Sequence, residues 1–319
     1  MAQVAARAGV SGQTVSRVVN DSPRVDPSTR LRVEQAMEEL GYRPHRAARA
    51  LRTGRSQTIG LVVTTLATVG NSRMLQATAE AAAERGYALT LATAGDSVAD
   101  AFDRLAEQEV DGAIVLNEAS ALVPEAQRPA GLRLVVVDAA ASSDLVAVHS
   151  DHVGGAAAAT EHLLVHGHPT VHHLAGPADS FAAAERERGW RSALAAAGVV
   201  APPVVRGDWS AEAGFAAGAA LVDATAVFCA NDQMALGLIR AFAESGRRVP
   251  EDVSVIGFDD VPEAANYRPP LTTIRQDFTA LAHRAVALLV AEIEGGESAA
   301  DESSVVPAVL VERVSVAGR

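Results

Sequence analysis

Five side chains in the middle and C-terminal parts of the chain are of the types that bind a sugar ring. Asp138, Asn231 and Asp259 each come directly after an apolar, strand-like run. Arg186 lies in a helical stretch, and Trp209 lies in a polar loop. The vicinal hydroxyls of a pyranose pair with guanidinium, carboxylate and amide groups, while its apolar face stacks on an aromatic ring. We therefore predict that these residues converge on a site for a small polyhydroxylated molecule.

Each of these residues also has a structural interpretation. Asp232, next to Asn231, is expected to cap the helix that follows it. Arg186 could instead be a surface charge, and one of the adjacent carboxylates Asp259 and Asp260 could serve structure alone. The site prediction therefore depends on whether the fold brings the side chains together.

The sequence carries no pattern of a metal or catalytic site. Five histidines span a helix, a turn and a strand, with no cysteine nearby: His162, His166, His168, His172 and His173. The chain has neither a glycine-rich phosphate loop nor a nucleophile elbow. The adjacent side chains of Asp259 and Asp260 tend to diverge, unlike the paired carboxylates of glycosidases. We predict no catalytic residue, no metal and no cofactor, and hence no enzyme.

The elements that must position the polar residues alternate between strands and helices from residue 58 onward. Apolar runs predict strands over residues 59–63, 88–92, 112–116, 134–137, 172–175, 226–229, 253–258 and 305–316. Helical periodicity covers residues 74–85, 101–108, 155–166, 182–197, 211–222, 233–245 and 281–294. This alternation predicts an α/β fold of parallel sheets covered by helices, in two lobes arranged as in periplasmic binding proteins. A ligand would bind at the carboxyl ends of the strands.

The first part of the chain differs from the rest in charge. Residues 1–57 hold ten arginines and five acidic residues, a net charge of +5. The remaining chain has 17 arginines and 34 acidic residues, a net charge of −17. A basic head on an acidic body fits a segment that meets nucleic-acid phosphates, although a basic surface patch alone would give the same numbers.

Three short helices are predicted in this basic head. The first covers residues 2–8 and ends at Gly9, the second covers residues 12–20 behind Ser11, and the third begins at Asp26 and ends before Gly41. Two short helices joined by a turn, with a third packed against them, form a helix-turn-helix. The second helix carries polar side chains that could reach base edges: Gln13, Thr14, Ser16, Arg17 and Asn20.

Segments in both parts of the chain resemble the lactose-repressor family of bacterial regulators. In the head these are residues 4–20 and 30–44; in the body the segments most alike are residues 231–237, 253–260 and 269–278. The resemblance implies a helix-turn-helix DNA-binding head over residues 1–43, a hinge over residues 44–57 and an effector-binding body over residues 58–319. Within the body it implies an N-lobe of about 58–149 and 277–302, and a C-lobe of about 150–276 and 303–319.

The resemblance also implies DNA contacts. Gly12, Gln13 and Arg17 fall at base-reading positions, and Gly12 is smaller than the residues often found there. The hinge resembles a helix that orders on operator DNA and wedges Leu51 into the minor groove, and its contact residues would be His45, Arg46, Ala48 and Leu51. Its composition alone would favour a flexible linker. If the hinge helix forms, Leu51→Ala should weaken operator binding and leave the sugar site unaffected.

For the body, the resemblance implies an effector pocket. The groups that would bind sugar hydroxyls are Asp138, Arg186, Asn231 and Asp259. Trp209 would stack on the ring and Phe278 would line the pocket. Thr64 and Leu66 would form the opposite wall.

Together these observations predict a homodimeric transcriptional repressor. Two heads would bind a near-palindromic stretch of double-stranded operator DNA, and a small, galactoside-like sugar would release it. Alternatives are the same fold with a purine or another sugar as corepressor, an activator, or a sugar-binding transport-type protein. The sequence has no signal-peptide pattern and no apolar run of about 18 residues, which predicts a cytoplasmic protein without a membrane span.

Overall fold

A computed structural model describes residues 1–19, 22–42, 54–95, 97–123, 131–139, 145–295 and 305–319. The chain divides into two compact units, Met1–Ser56 and Gln57–Arg319. None of the helices in the described residues has the length and hydrophobicity that a membrane span requires.

The first unit is a head of three helices, α1 (Ala2–Ala8), α2 (Gly12–Val19) and α3 (Pro27–Glu39). Helix α1 ends at Gly9, whose φ of 65° lies in the left-handed region that glycine adopts without steric cost. Ser11 Oγ accepts a hydrogen bond from the Thr14 N–H at 3.2 Å, and so caps α2. The helices close around a small core in which Val15 and Val33 are fully buried.

The first lobe of the second unit has a sheet of six parallel strands, in the order β11-β5-β4-β3-β1-β2. These strands are β1 (Thr58–Val63), β2 (Ala88–Thr93), β3 (Gly112–Leu116), β4 (Arg133–Val137), β5 (Val146–Ser150) and β11 (Val305–Val306). Helices α4 (Val69–Glu84) and α11 (Phe278–Glu294) pack on one face of the sheet, and α5 (Val98–Glu107) packs on the other. A short helix, α6 (Glu118–Ala121), follows β3.

The second lobe has a sheet in the order β12-β10-β9-β8-β6-β7, in which only β12 runs antiparallel to its neighbour. Its strands are β6 (His172–Ala175), β7 (Val205–Arg206), β8 (Ala226–Cys229), β9 (Ser254–Asp259), β10 (Thr272–Gln276) and β12 (Ala308–Val311). Its helices are α7 (His152–Val165), α8 (Phe181–Ala196), α9 (Ala211–Ala216) and α10 (Asp232–Glu244), with 3₁₀ turns at Ala217–Leu221 and Pro262–Asn266.

The chain crosses between the lobes three times, after β5, after β10 and between β11 and β12. The last crossing corrects two expectations. The predicted strand over residues 305–316 is broken at Pro307, because proline has no N–H to donate to a ladder. Residues 303–319 were expected wholly in the second lobe, but Val305 and Val306 pair with His149 and Ser150 of the first sheet.

Candidate effector cleft and DNA-reading helix

The two lobes form a cleft between them at the carboxyl ends of the strands, where ligands bind in open α/β sheets. The first lobe contributes Thr68, Gly70, Met74, Asn117, Glu118 and Asp138. The second lobe contributes Ala182, Arg186, Trp209, Asn231, Gln233, Asp259 and Gln276, and Phe278 begins the helix that returns to the first lobe. The cleft therefore brings together six of the eight residues predicted for the effector: Asp138, Arg186, Trp209, Asn231, Asp259 and Phe278.

Four residues of the cleft have positive φ, although none is glycine. The φ angles are 48° at Asn117, 52° at Asp138, 75° at Trp209 and 108° at Asp259. Such backbone conformations cost on the order of 1–3 kcal/mol each and cluster at functional sites. Their concentration in one cleft supports a binding role for it.

Arg186 is buried near the centre of the cleft and is not a surface charge. Its guanidinium lies 3.9 Å from the centroid of the Phe258 ring and 5.5 Å from that of Trp209. Nη1 donates to the carbonyl oxygen of Ala230, and Nη2 lies 3.7 Å from Asp259 Oδ1. Burial lowers the pKa of this guanidinium, and the neighbouring carboxylates, first Asp259, oppose that effect. The side chain is thus held in one position by stacking and by protein acceptors.

His152 connects Arg186 to Asp138, a role that no sequence pattern indicated. Its Nδ1 accepts a hydrogen bond from Arg186 Nε at 3.3 Å, and its Nε2 lies 3.0 Å from Asp138 Oδ1. Asp138 Oδ1 also accepts a hydrogen bond from the Ser150 N–H at 2.9 Å. The imidazole thus fixes a carboxylate of the first lobe relative to a guanidinium of the second.

Asn231, not Asp232, caps helix α10, which corrects the expectation for Asp232. Asn231 Oδ1 accepts a hydrogen bond from the Met234 N–H at 2.9 Å, and its Nδ2 donates to the carbonyl oxygen of Trp209 at 3.0 Å. Asp232 is instead fully buried and accepts hydrogen bonds from Val261 N–H at 2.8 Å and Thr273 Oγ1 at 2.5 Å. Asn231 therefore serves the helix and the tryptophan loop together.

The Trp209 ring forms one wall of the cleft and lies directly on the Gly176 backbone. A Cβ atom at Gly176 would be 2.3 Å from the ring, so no larger residue fits there without displacing it. On the opposite wall, the Phe278 ring lies 4.8 Å from the guanidinium of Arg73. Both walls of the cleft are therefore aromatic.

Asp259 is held by the other members of the cleft. Gln276 Nε2 donates to its Oδ1 at 2.6 Å. Burial raises the pKa of the Asp259 carboxyl by more than Arg186 and Gln276 lower it. Two residues of the cleft were not predicted from the sequence, Asn117 and Gln276. They lie at the carboxyl ends of β3 and β10, so the search for polar residues at strand ends that identified Asp138 could have found them too.

Two residues predicted for the opposite wall do not line the cleft. Strand β1 ends at Val63, and the loop after it directs Leu66 onto the hydrophobic cluster of the first lobe, where it is half-buried. Thr64 is also half-buried but outside the cleft. Thr68 and Gly70, a few residues further along, take their place.

Contacts beside the cleft join the two lobes. The N–H of Val69 donates to Gln233 Oε1 at 3.4 Å. Arg73 Nη1 donates to the carbonyl oxygens of Asp259 and Asp260 at 3.4 and 3.3 Å. Helix α4 of the first lobe is thereby connected to the cleft-forming end of the second sheet.

In the head, α2 presents the predicted DNA-contacting side chains on its outer face. Gly12, Gln13 and Arg17 are exposed, and Thr14 and Ser16 are half-buried. Val15 and Val18 on the other face pack into the core of the head. The remaining predicted contacts lie outside the described residues: Asn20, His45, Arg46, Ala48 and Leu51.

Both units match known protein families. Residues 1–45 match the family described as bacterial regulatory proteins, lacI family. Residues 160–316 match the periplasmic binding protein-like domain. The chain is 38% identical over 311 residues to the HTH-type transcriptional regulator CelR of Thermobifida fusca, covering 92% of this chain and 91% of that protein. It is 37% identical over 323 residues to the lactose operon repressor of Escherichia coli (strain K12), covering 97% of this chain and 88% of that protein.

Solved structures of these two proteins have the same architecture. The lac repressor dimer bound to operator and the anti-inducer ONPF superposes with a TM-score of 0.86 at 34% identity, covering 99% of this chain and 98% of that chain. The CelR–cellobiose complex superposes with a TM-score of 0.72 at 35% identity, covering 98% of both chains. The chain therefore belongs to the lacI family of bacterial regulatory proteins.

Proposed function

We propose that this chain is a dimeric transcriptional repressor whose release from operator DNA is triggered by a sugar in the cleft. The observation that carries the proposal is the convergence of Trp209, Arg186, Asp138 and Asp259 on one cleft of a chain that also has a helix-turn-helix head. The names of the similar proteins support it, since one was solved on operator DNA and another with cellobiose. The proposal places the protein in the cytoplasm with its DNA and assigns it no catalytic activity.

The side chains of the cleft suit the two kinds of surface on a sugar. The indole of Trp209 offers a flat apolar face, and a pyranose has a matching face of C–H groups. The guanidinium of Arg186 and the carboxylates of Asp138 and Asp259 offer fixed polar partners for ring hydroxyls. A galactoside is the first sugar that we would test, followed by cellobiose.

The cleft can couple sugar binding to the head because its lining comes from both lobes. A ligand that contacts both lobes favours the lobe arrangement in which all contacts are made, and shifts the population toward it. The contacts of Val69 and Arg73 with the second lobe lie beside the cleft and would change in such a shift. A coupling of about 1–3 kcal/mol would reduce operator affinity by roughly 5- to 150-fold.

The experiment that tests the sugar site is a titration of the intrinsic tryptophan fluorescence. The chain has two tryptophans; Trp190 is buried and donates to the Val171 carbonyl at 2.9 Å, whereas Trp209 lines the cleft. We expect a saturable change with a sugar and none with a purine base. Arg186→Ala should abolish it, and Arg188→Ala should not, because Arg188 is exposed, lies outside the cleft lining and pairs with Glu185 on the same helix. A response to hypoxanthine and to no sugar would overturn the proposed effector class.

A further inference from the structure

We infer that Arg73 is a positioning residue that links sugar binding in the cleft to the arrangement of the lobes. Its contacts with Asp259 and Asp260 stabilise the DNA-binding arrangement, which is the arrangement of the lobes in which the heads bind operator, and sugar binding at Asp259 breaks these contacts. Arg73 is not among the described residues that line the cleft, so it acts on the sugar through Asp259. The inference deepens the proposed function and rests on it.

Arg73 is fixed to the first lobe. It lies on α4 next to Met74, whose side chain is buried in the hydrophobic core of that lobe. Its guanidinium carbon lies 4.8 Å from the centroid of the Phe278 ring, which belongs to the same core and begins α11. Stacking of a guanidinium on an aromatic ring is favourable, and this contact directs the half-buried side chain.

The guanidinium of Arg73 also reaches the second lobe. Nη1 donates to the carbonyl oxygens of Asp259 and Asp260 at 3.4 and 3.3 Å. The carboxylate of Asp260 in turn accepts hydrogen bonds from Arg275 Nε at 2.7 Å and from Arg313 Nη2 at 2.6 Å. Arg275 lies on β10 and Arg313 follows β12, so the two aspartates are tied to the second sheet. The contact of Arg73 with them is therefore a contact with the second lobe as a body.

Asp259 presents its backbone to Arg73 and its side chain to the cleft. The carboxyl accepts a hydrogen bond from Gln276 Nε2 at 2.6 Å and lies 3.7 Å from Arg186 Nη2. A sugar hydroxyl that bonds to this carboxyl competes with those two protein groups. The φ of 108° at Asp259 is a strained conformation that persists only while its surroundings hold it. Replacing the contacts of the carboxyl therefore moves the carbonyl group that Arg73 binds.

The direction of the effect follows from thermodynamic linkage. A contact that is made in only one of two arrangements stabilises that arrangement, and it opposes any ligand that favours the other. Without the contacts of Arg73, the lobes shift toward the sugar-binding arrangement, so sugar should bind more tightly and DNA more weakly. A residue that only supported the fold, or that bound the sugar itself, would instead weaken sugar binding when it is replaced.

The test compares three variants of the full-length protein. Arg73→Met keeps an unbranched side chain against the Phe278 ring and removes both hydrogen bonds. Arg73→Lys keeps the charge and a hydrogen-bond donor. Arg85→Met is the matched control, because Arg85 is exposed at the C-terminal end of the same helix.

Two affinities are measured for each protein. Tryptophan fluorescence gives the affinity for galactose and for cellobiose. Fluorescence anisotropy without sugar gives the affinity for a DNA duplex that the original protein has selected from a randomised library. In a two-state equilibrium, the ratio of sugar affinity to DNA affinity changes by the factor that the lost contact contributed.

We expect this ratio to rise roughly two- to tenfold in Arg73→Met, the range that loss of an ordinary hydrogen bond allows. Arg73→Lys should lie between this variant and the original protein, and Arg85→Met should match the original. Weaker sugar binding by Arg73→Met, or an unchanged ratio, would overturn the inference and leave the proposed function standing. Failure of the original protein to bind either sugar would overturn the proposed function itself.

Discussion

The side-chain amide of Asn231 donates a hydrogen bond to the carbonyl oxygen of Trp209 over 3.0 Å, while the oxygen of the same amide caps helix α10. One residue therefore sets both the start of a helix in the second lobe and the position of the aromatic wall of the cleft. The two hydrogen bonds use different atoms, so substitutions can separate their effects.

Asn231→Ser should separate helix capping from effector binding. Serine is as good a cap as asparagine, so we expect the free energy of unfolding to stay within a few tenths of a kcal/mol of the original. The shorter side chain loses the contact with the Trp209 carbonyl, and sugar affinity should fall. Asn231→Ala removes both the helix cap and the contact with the Trp209 carbonyl. It should therefore lower sugar affinity and also cost about 1 kcal/mol of stability. Urea unfolding and fluorescence titration measure the two effects; equal sugar affinity in all three proteins would refute the link to Trp209.

Arg186→Ala should destabilise the second unit as well as remove a ligand contact. The substitution leaves the buried carboxyl of Asp259 without its cationic partner, and breaking a buried pair from one side costs about 3–5 kcal/mol. Arg188→Ala on the same helix breaks an exposed pair with Glu185 and should cost about 0–1 kcal/mol. Chemical denaturation of both variants measures the loss in the free energy of unfolding. Similar losses for Arg186→Ala and Arg188→Ala would contradict the role of Arg186 as a buried, paired charge.

The buried carboxyl of Asp232 should make stability depend on pH. Burial, reinforced by the nearby Asp259, raises the pKa of Asp232 well above its ordinary value of 3.8. A group with a raised pKa in the folded state stabilises the fold fully below its ordinary pKa, and this contribution is lost as the pH rises through the raised value. Asp232→Asn does not titrate there and can still accept from the Val261 N–H.

We therefore expect the free energy of unfolding of Asp232→Asn to increase relative to that of the original protein as the pH rises from 5 to 8. Parallel urea unfolding of the two proteins measures this difference, in which titrating groups that do not interact with Asp232 cancel. A difference that does not change with pH would contradict the raised pKa.

Arg17→Ala should impair sequence-specific DNA binding without disturbing the fold of the head. Arg17 is exposed on α2, and a two-pronged contact from arginine to a base is worth about 1–3 kcal/mol of discrimination. Arg32→Ala on α3 is the matched control, since Arg32 is also exposed and donates to Thr29 Oγ1 at 3.2 Å. Selection of bound duplexes from a randomised DNA library should yield a near-palindromic site for the original protein and for Arg32→Ala. Recovery of the same site by Arg17→Ala would argue against base reading by this residue.

Much of the architecture could be predicted from the sequence because apolar runs and helical periodicity alternate clearly. Strands β5 and β10 were missed, since their runs contain polar residues such as His149, Thr272 and Thr273. In β10 both threonines are buried, and the Thr273 hydroxyl donates to Asp232. Because these buried residues are polar, the strand does not appear in the sequence as an apolar run. Helix α4 begins at Val69, five residues before its first predicted turn, because Thr68 caps it.

The site was only partly predictable for a related reason. Polar residues directly after strands indicated Asp138, Asn231 and Asp259, because the carboxyl ends of parallel strands meet at one edge. The role of His152 depends on the distance between two lobes, and no local pattern encodes that distance. The partnership of Gln276 with Asp259 likewise joins neighbouring strands across the sheet.

The most direct test of sugar-released repression is fluorescence anisotropy of the full-length protein on its selected DNA duplex, with and without the tightest-binding sugar. We predict that saturating sugar lowers DNA affinity roughly 5- to 150-fold. Arg186→Ala, if it still folds, should bind the duplex and ignore the sugar. DNA affinity that is unchanged at saturating sugar would contradict the proposed coupling between the cleft and the head.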